Sequence, residues 1–237
     1  MTIAEKLVKV ADNVHKVYDT GHEIGFNTGY DDGQKAEYDR FWDGFQQNGT
    51  RTDYQQAFRG WKNAHNYWEP KHTLNITNAN FMFYGFESEL GLPELCEQAG
   101  ITLDFSKVTT FGQPFSYAKI PDIGVVDTTS AASLGSILAQ SIVEKVTLIL
   151  KNDGSQHTLT GAFSYAEKLT DLTIKGTIGN TVDLHWSKNL STESLRSIIN
   201  ALGGTASATL TLPSKFNTDE YADIIEGKPS NWTISYL

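Results

Sequence analysis

The sequence predicts an α+β chain: a long N-terminal helix that forms a coiled coil, followed by a short β-rich repeat solenoid with helical caps. Three observations carry this. An apolar seam of heptad spacing opens the chain, an internal repeat fills its centre, and a capped amphipathic segment follows the last repeat. At 237 residues the chain has room for one large domain, or a smaller one with an appendage.

The seam comes first. Ile3, Leu7, Val10, Val14, Val17 and Ile24 follow a 4-3-4-3 spacing in which Gly21 fills the missing step. That is a heptad pattern, and β-branched residues at both core positions favour three or more strands over two, so a homotrimer is expected. The competing reading is an amphipathic helix packed on its own domain. Gly21, Gly25, Gly29 and Gly33 then recur every fourth residue. Each helical glycine costs about 1 kcal/mol relative to alanine, so this tract is either a close-packing face or an extended connector. Tyr38, Phe41, Trp42 and Phe45 share one helical face, and the turn signal Asn48-Gly49 ends the segment.

Residues 50–78 hold Tyr54, Phe58, Trp61, Tyr67, Trp68 and Pro70 without clear periodicity and read as a packed connector. His65, Glu69 and His72 do not make a metal site, since Pro70 interrupts any helix that would align them. Asp31-Asp32-Gly33 lacks the alternating oxygen ligands and closing glutamate of a calcium loop. No metal or cofactor is expected.

The repeat follows. Phe115-Ser116-Tyr117-Ala118-Lys119 returns as Phe163-Ser164-Tyr165-Ala166-Glu167, with a degenerate copy at Leu138 between them and Trp186 beyond. Ala118, Ser141, Ala166 and Asn189 stand three residues after each large apolar position. Strands are expected at Ile120, Ile123, Val125, at Val143, Val146, Leu148 and at Leu169, Leu172, Ile174, with Val146, Leu148 and Leu150 facing inward. A unit this small cannot bury its own apolar face, so the repeats are expected to stack into one continuous ladder. A weaker strand at Ile101, Leu103 and Phe105 would begin it. The N-terminal cap is a turn and short helix in Glu87 to Leu95, and the C-terminal cap a helix over 191–204 with Ser191 as N-cap and a glycine stop. Strands Ala208–Leu212 and Trp232–Tyr236 close the chain around a short helix near Thr218–Ile225. The divisions are 1–48 for oligomerisation and docking, 49–78 as connector, 79–190 as the repeats and 191–237 as the capping module.

Gly161-Ala162-Phe163 with Ala166, Leu169, Leu172 and Ile174 resembles the repeat of BspA-like leucine-rich-repeat proteins. The likeness extends through Leu190-Ser191, Ile198-Ile199-Asn200-Ala201-Leu202, Thr209-Leu210-Thr211-Leu212 and Asn231-Trp232-Thr233-Ile234, and covers roughly residues 100–237. Ala118, Ser141, Ala166 and Asn189 stand where that family usually has cysteine, and a regular asparagine ladder is missing. The resemblance implies a leucine-rich-repeat solenoid. The opening, from Met1 through Lys16-Val17-Tyr18 to Phe41-Trp42, is similar to the N-termini of repeat proteins of phages and prophages of gut bacteria.

Composition narrows the function. Hydrophobic residues at 39% and charged residues at 20% fit a globular protein rather than a disordered chain. A net charge of −9 opposes a phosphate backbone, so nucleic acid is not an expected partner. Cys96 is the only cysteine and reads as a small buried hydrophobe. The N-terminus lacks the continuous apolar run of a signal peptide, and no stretch of 18 apolar residues exists, so neither export by that route nor membrane insertion is expected.

No nucleophile elbow, P-loop, dinucleotide motif or zincin helix occurs, and the six histidines are scattered, so no enzyme is expected. His185 reads as a solvated face residue. Tyr117 and Tyr165 occupy equivalent repeat positions and are the candidate contact residues, unless each packs over its own turn. Three readings follow. The first is a virion protein, made in the host cytoplasm, which docks on phage tail proteins and faces a host surface protein or glycan. The others are a BspA-like adhesin and an intracellular scaffold.

Overall fold

Strand pairing is parallel throughout the described residues, because each strand is followed by a long excursion rather than a tight hairpin; paired partners lie 22 to 29 residues apart. The computed structural model describes residues 58–60, 73–99, 102–155, 159 and 161–237. All lie in one compact unit, Gly49–Leu237. The seam residues Ile3, Leu7, Val10, Val14, Val17 and Ile24, the glycine tract, His65, Glu69 and His72 fall outside them.

Strand β1 (Thr73–Asn75) pairs with β2 (Thr102–Asp104). Helix α1 (Leu92–Ala99) lies between them in sequence, with Leu92 and Leu95 buried. A second sheet has the order β3 (Asp122–Asp127), β4 (Lys145–Ile149), β5 (Asp171–Lys175). The third joins β6 (Val182–Asp183), β7 (Ala208–Leu212) and β8 (Trp232–Tyr236). Helix α2 (Thr192–Ala201) separates β6 from β7, and α3 (Ala222–Glu226) follows two single 3-10 turns before β8.

This corrects the fold class read from sequence. The described residues form a small mixed α/β arrangement of three short parallel sheets. Their longest helix has ten residues, and they contain neither a long helix nor a solenoid. The reason is local at each break. On the outer side of β5, Leu172 N–H donates to Ser194 Oγ at 2.8 Å and Ile174 N–H to Ser197 Oγ at 2.8 Å. Two serines one helical turn apart on α2 thus take the amides that another strand would have paired. Sheet two therefore ends at β5. At its other side α1 packs on β3, and the Pro93 ring sits over Gly124, where an added Cβ would lie 2.6 Å from Pro93 Cγ.

Gly124 also shifts a register. With φ +76° it makes a bulge between the Asp122–Lys145 and Val125–Thr147 pairs. The strand expected from Ile120, Ile123 and Val125 slips by one, so Val125 is 56% exposed and Val126 is fully buried. Through β4 and the residue that follows it the expected alternation holds, with Val146, Leu148 and Leu150 buried. The segment read as connector contributes structure as well. Residues 73–75 are β1, and the Phe58 ring stacks on Phe83 at 4.8 Å and 4°. Phe83 in turn stacks on Phe115 at 5.4 Å and 8°. Such aromatic pairs contribute about 0.5–1.5 kcal/mol beyond the area they bury.

Candidate functional site

The repeat seen in the sequence is a repeat of turns. In each copy the amide three residues on returns to the carbonyl of the large apolar residue: Phe86 to Phe83, Ala118 to Phe115, Ser141 to Leu138 and Ala166 to Phe163, at 3.0 to 3.2 Å. Successive turns are tied by two bonds per step. The apolar residue and the residue two further on donate to the next copy, as in Phe115 to Ile137 O, Tyr117 to Ala139 O, Leu138 to Ala162 O and Gln140 to Ser164 O.

This geometry sets the third position apart. Two residues after the large apolar one, it is left-handed in each of these four copies, occupied by Gly85 (φ 65°), Tyr117 (59°), Gln140 (58°) and Tyr165 (57°), and again at Gly60 (69°) in the turn that begins at Phe58. Glycine meets this conformation at no steric cost, whereas for an L-residue it costs roughly 1–2 kcal/mol. Tyr117 and Tyr165 bear that cost while standing 41% and 51% exposed. Neither is buried in the core, so the reading in which each tyrosine merely packs over its own turn leaves much of both rings in solvent.

Each has an aromatic neighbour. Tyr117 lies 5.0 Å from Tyr84, whose face carries the Arg59 guanidinium at 4.9 Å. Tyr165 lies 4.1 Å from Trp186, tilted by 31°. The two tyrosines are two hydrogen-bonded steps apart, about 10 Å at the 4.7–4.9 Å spacing of paired chains, and Gln140 is exposed at the step between them.

Trp186 is the residue that sequence reasoning misplaced. Its size read as the core position of a fourth copy, with Asn189 as the small inner residue. In the structure Leu184 and Ser187 fill those roles: Leu184 is buried, and Ser187 N–H returns to Leu184 O at 2.9 Å. The step from Phe163 is 21 residues, so Trp186 holds the turn position of Tyr165, half-buried and without the left-handed backbone, and flanks the exposed row through its contact with Tyr165. Aligning Leu184-His185-Trp186-Ser187 under Phe163-Ser164-Tyr165-Ala166 would have found it. Asn189 instead donates from Nδ2 to Glu167 O at 2.8 Å.

His185 is not a solvated face residue either. Its side chain is 20% exposed, stacks 4.6 Å from Trp186 and meets Asp183 Oδ1 through Nδ1 at 2.6 Å. A carboxylate only accepts, so Nδ1 carries the proton. Asp183 Oδ1 also takes the His185 backbone amide at 3.0 Å, which fixes the ring beneath the indole.

Elsewhere, burial pushes the Cys96 thiol up to about 11. An open cleft of about 270 Å³ near the C-terminal end is lined by Phe216, Asp219, Glu226 and Tyr236 among others, with no histidine, cysteine, serine or lysine. Among the described residues no three or more histidine, cysteine, aspartate or glutamate side chains converge as metal ligands, and no helix is long and apolar enough to cross a membrane. No protein-family model, curated protein or solved structure matches the chain.

Proposed function

We propose that this chain is a non-enzymatic phage virion protein of the tail, baseplate or fibre region, oligomerised through Ile3 to Ile24, which turns its aromatic row towards the host surface. One observation supports the recognition role: Tyr117 and Tyr165 hold a strained left-handed backbone and yet leave about half of each side chain in solvent, where glycine would serve the turn as well. The virion assignment draws on the resemblance of the opening, Met1 to Trp42, to phage and prophage repeat proteins.

The test has two arms. Particles of a phage encoding the chain are analysed by mass spectrometry and by antibody labelling under the electron microscope, and label at the tail is the expected result. Soluble chain is then added to host cells and should block particle adsorption, while the Tyr117→Ala, Tyr165→Ala double variant should not. A chain absent from particles but displayed on bacteria would instead make it a surface adhesin, and one confined to the cytosol a scaffold.

A further inference from the structure

We infer that the exposed row binds a neutral, extended saccharide chain, with one sugar ring on Tyr117 and another on the Tyr165–Trp186 pair. The inference rests on the reading above, that this row is a recognition surface, and names what it recognises.

The spacing comes first. Two aromatic platforms two hydrogen-bonded steps apart, about 10 Å, match the span of a disaccharide repeat in an extended chain better than any single small ligand. Gln140 occupies the intervening step in the same left-handed conformation, and its amide offers two donors and an acceptor to ring hydroxyls that lie between the platforms. The ring chemistry agrees. A pyranose with equatorial hydroxyls presents a face of C–H groups, which packs on an aromatic face while its hydroxyls meet phenol tips and solvent.

Charge selects among sugars. The chain carries −9, Glu167 lies two residues from Tyr165, and the Asp183 carboxylate holds the histidine that stacks on Trp186. Lys119 and Lys188 border the other two aromatic positions and Arg59 lies over Tyr84 beside Tyr117, so both signs alternate along the row and neither an anionic nor a cationic glycan is matched along its length. The shape of the row selects against a protein. Stable protein interfaces need broad patches of about 1,200–2,000 Å² in total. This row is narrow, flanked by Tyr84 beside Tyr117 and by Trp186 beside Tyr165. Two residues beyond each aromatic site the turns carry Lys119, Glu167 and Lys188, a charged border that leaves room for a linear chain.

The experiment titrates the full chain with β-1,4-linked N-acetylglucosamine and glucose oligomers from one to six units, following tryptophan fluorescence, with a sulfated oligomer as the anionic comparison. Saturable binding is expected, with affinity rising steeply once the oligomer is long enough to reach both platforms and little response to the sulfated form. Trp186→Phe should remove the signal change, and Tyr117→Gly or Tyr165→Gly should each weaken binding about tenfold, the loss of roughly one stacking contact, with the melting temperature within a few degrees of the parent. Affinity independent of oligomer length, or unchanged in both glycine variants, would overturn the inference. So would the absence of binding to any neutral oligomer at about 10 mM. If the chain ignores oligomers but binds host cells through Tyr117 and Tyr165, the recognition reading stands and the partner is a protein. If it binds neither, both fail.

Discussion

The Leu172 amide of β5 donates to the Ser194 hydroxyl of α2 at 2.8 Å, and that hydroxyl passes a bond of its own to Thr170 O at 3.0 Å. One buried serine therefore satisfies a strand amide and the carbonyl just before that strand at once. With Ser197 repeating the amide contact at Ile174, the helix completes the edge of a sheet that it is not part of. Strand edges left open invite pairing with other chains, and two hydroxyls close this one.

Ser194→Ala should consequently destabilise the protein by about 1–3 kcal/mol, because it leaves a buried amide without an acceptor. Urea denaturation followed by circular dichroism reads this as a lower midpoint. Ser194→Thr, which keeps the hydroxyl, should recover part of the loss. An unchanged midpoint in the alanine variant would mean that the edge is closed by something else.

Tyr165→Gly sets two effects against each other. It relieves roughly 1–2 kcal/mol of left-handed strain, and it loses a stack on Trp186 worth about 0.5–1.5 kcal/mol. The glycine also adds freedom to the unfolded chain. Stability should stay within about 1 kcal/mol of the parent, whereas Tyr165→Val should fall well below it, since a β-branched residue tolerates this backbone worst. Equal stability of the two variants would contradict the turn geometry described here.

Phe58→Ala should cost about 3–5 kcal/mol, as for other fully buried aromatic truncations. A chain cut to begin at Ala79 loses Phe58 and all of β1 together, leaving Phe83 without its stacking partner on one side. It should melt broadly or fail to fold, while a chain beginning at Gly49 should retain a sharp transition. Cooperative, high-temperature melting of the shorter chain would place the fold's boundary later than the structure does.

Cys96 has its pKa pushed up to about 11 by burial. At pH 8 its thiol is therefore almost wholly protonated in the folded protein, and reaction with a thiol-specific chromogenic reagent should be slow until urea exposes it. Reaction of the native protein at the rate of a free cysteine would show that the site opens readily.

The seam of Ile3, Leu7, Val10, Val14, Val17 and Ile24 predicts a trimer, so light scattering after size exclusion should give three times the 26.2 kDa of one chain. Val10→Asp with Val17→Asp should yield monomers, because charges in a seam core lose their hydration. A parent protein that is monomeric at micromolar concentration removes the trimer.

Much of the local structure was legible because it depends on neighbouring residues. Ser191 caps α2 by accepting the Ser194 amide, β7 and β8 span the residues their alternation indicates, and a short helix precedes β8. What failed depends on residues far apart. The sheet breaks after β5 because α2 brings Ser194 and Ser197 alongside it, and Val125 points outward because Pro93 crosses Gly124. Neither event marks the sequence of the strand it affects. Of the candidate site, Tyr117 and Tyr165 could be read from the repeat. Trp186 was misplaced, because a large indole resembles a core residue and only an alignment that allows a copy two residues shorter brings Leu184 into the core position.

The left-handed turn position has a consequence for how such a surface changes over time. Its backbone is held by hydrogen bonds to neighbouring turns, and in this one chain it already accepts glycine, glutamine and tyrosine. A codon change there alters what solvent meets without disturbing what the core requires. Specificity can therefore drift at Gly85, Tyr117, Gln140 and Tyr165 one residue at a time, each trial passing through sequences that still fold.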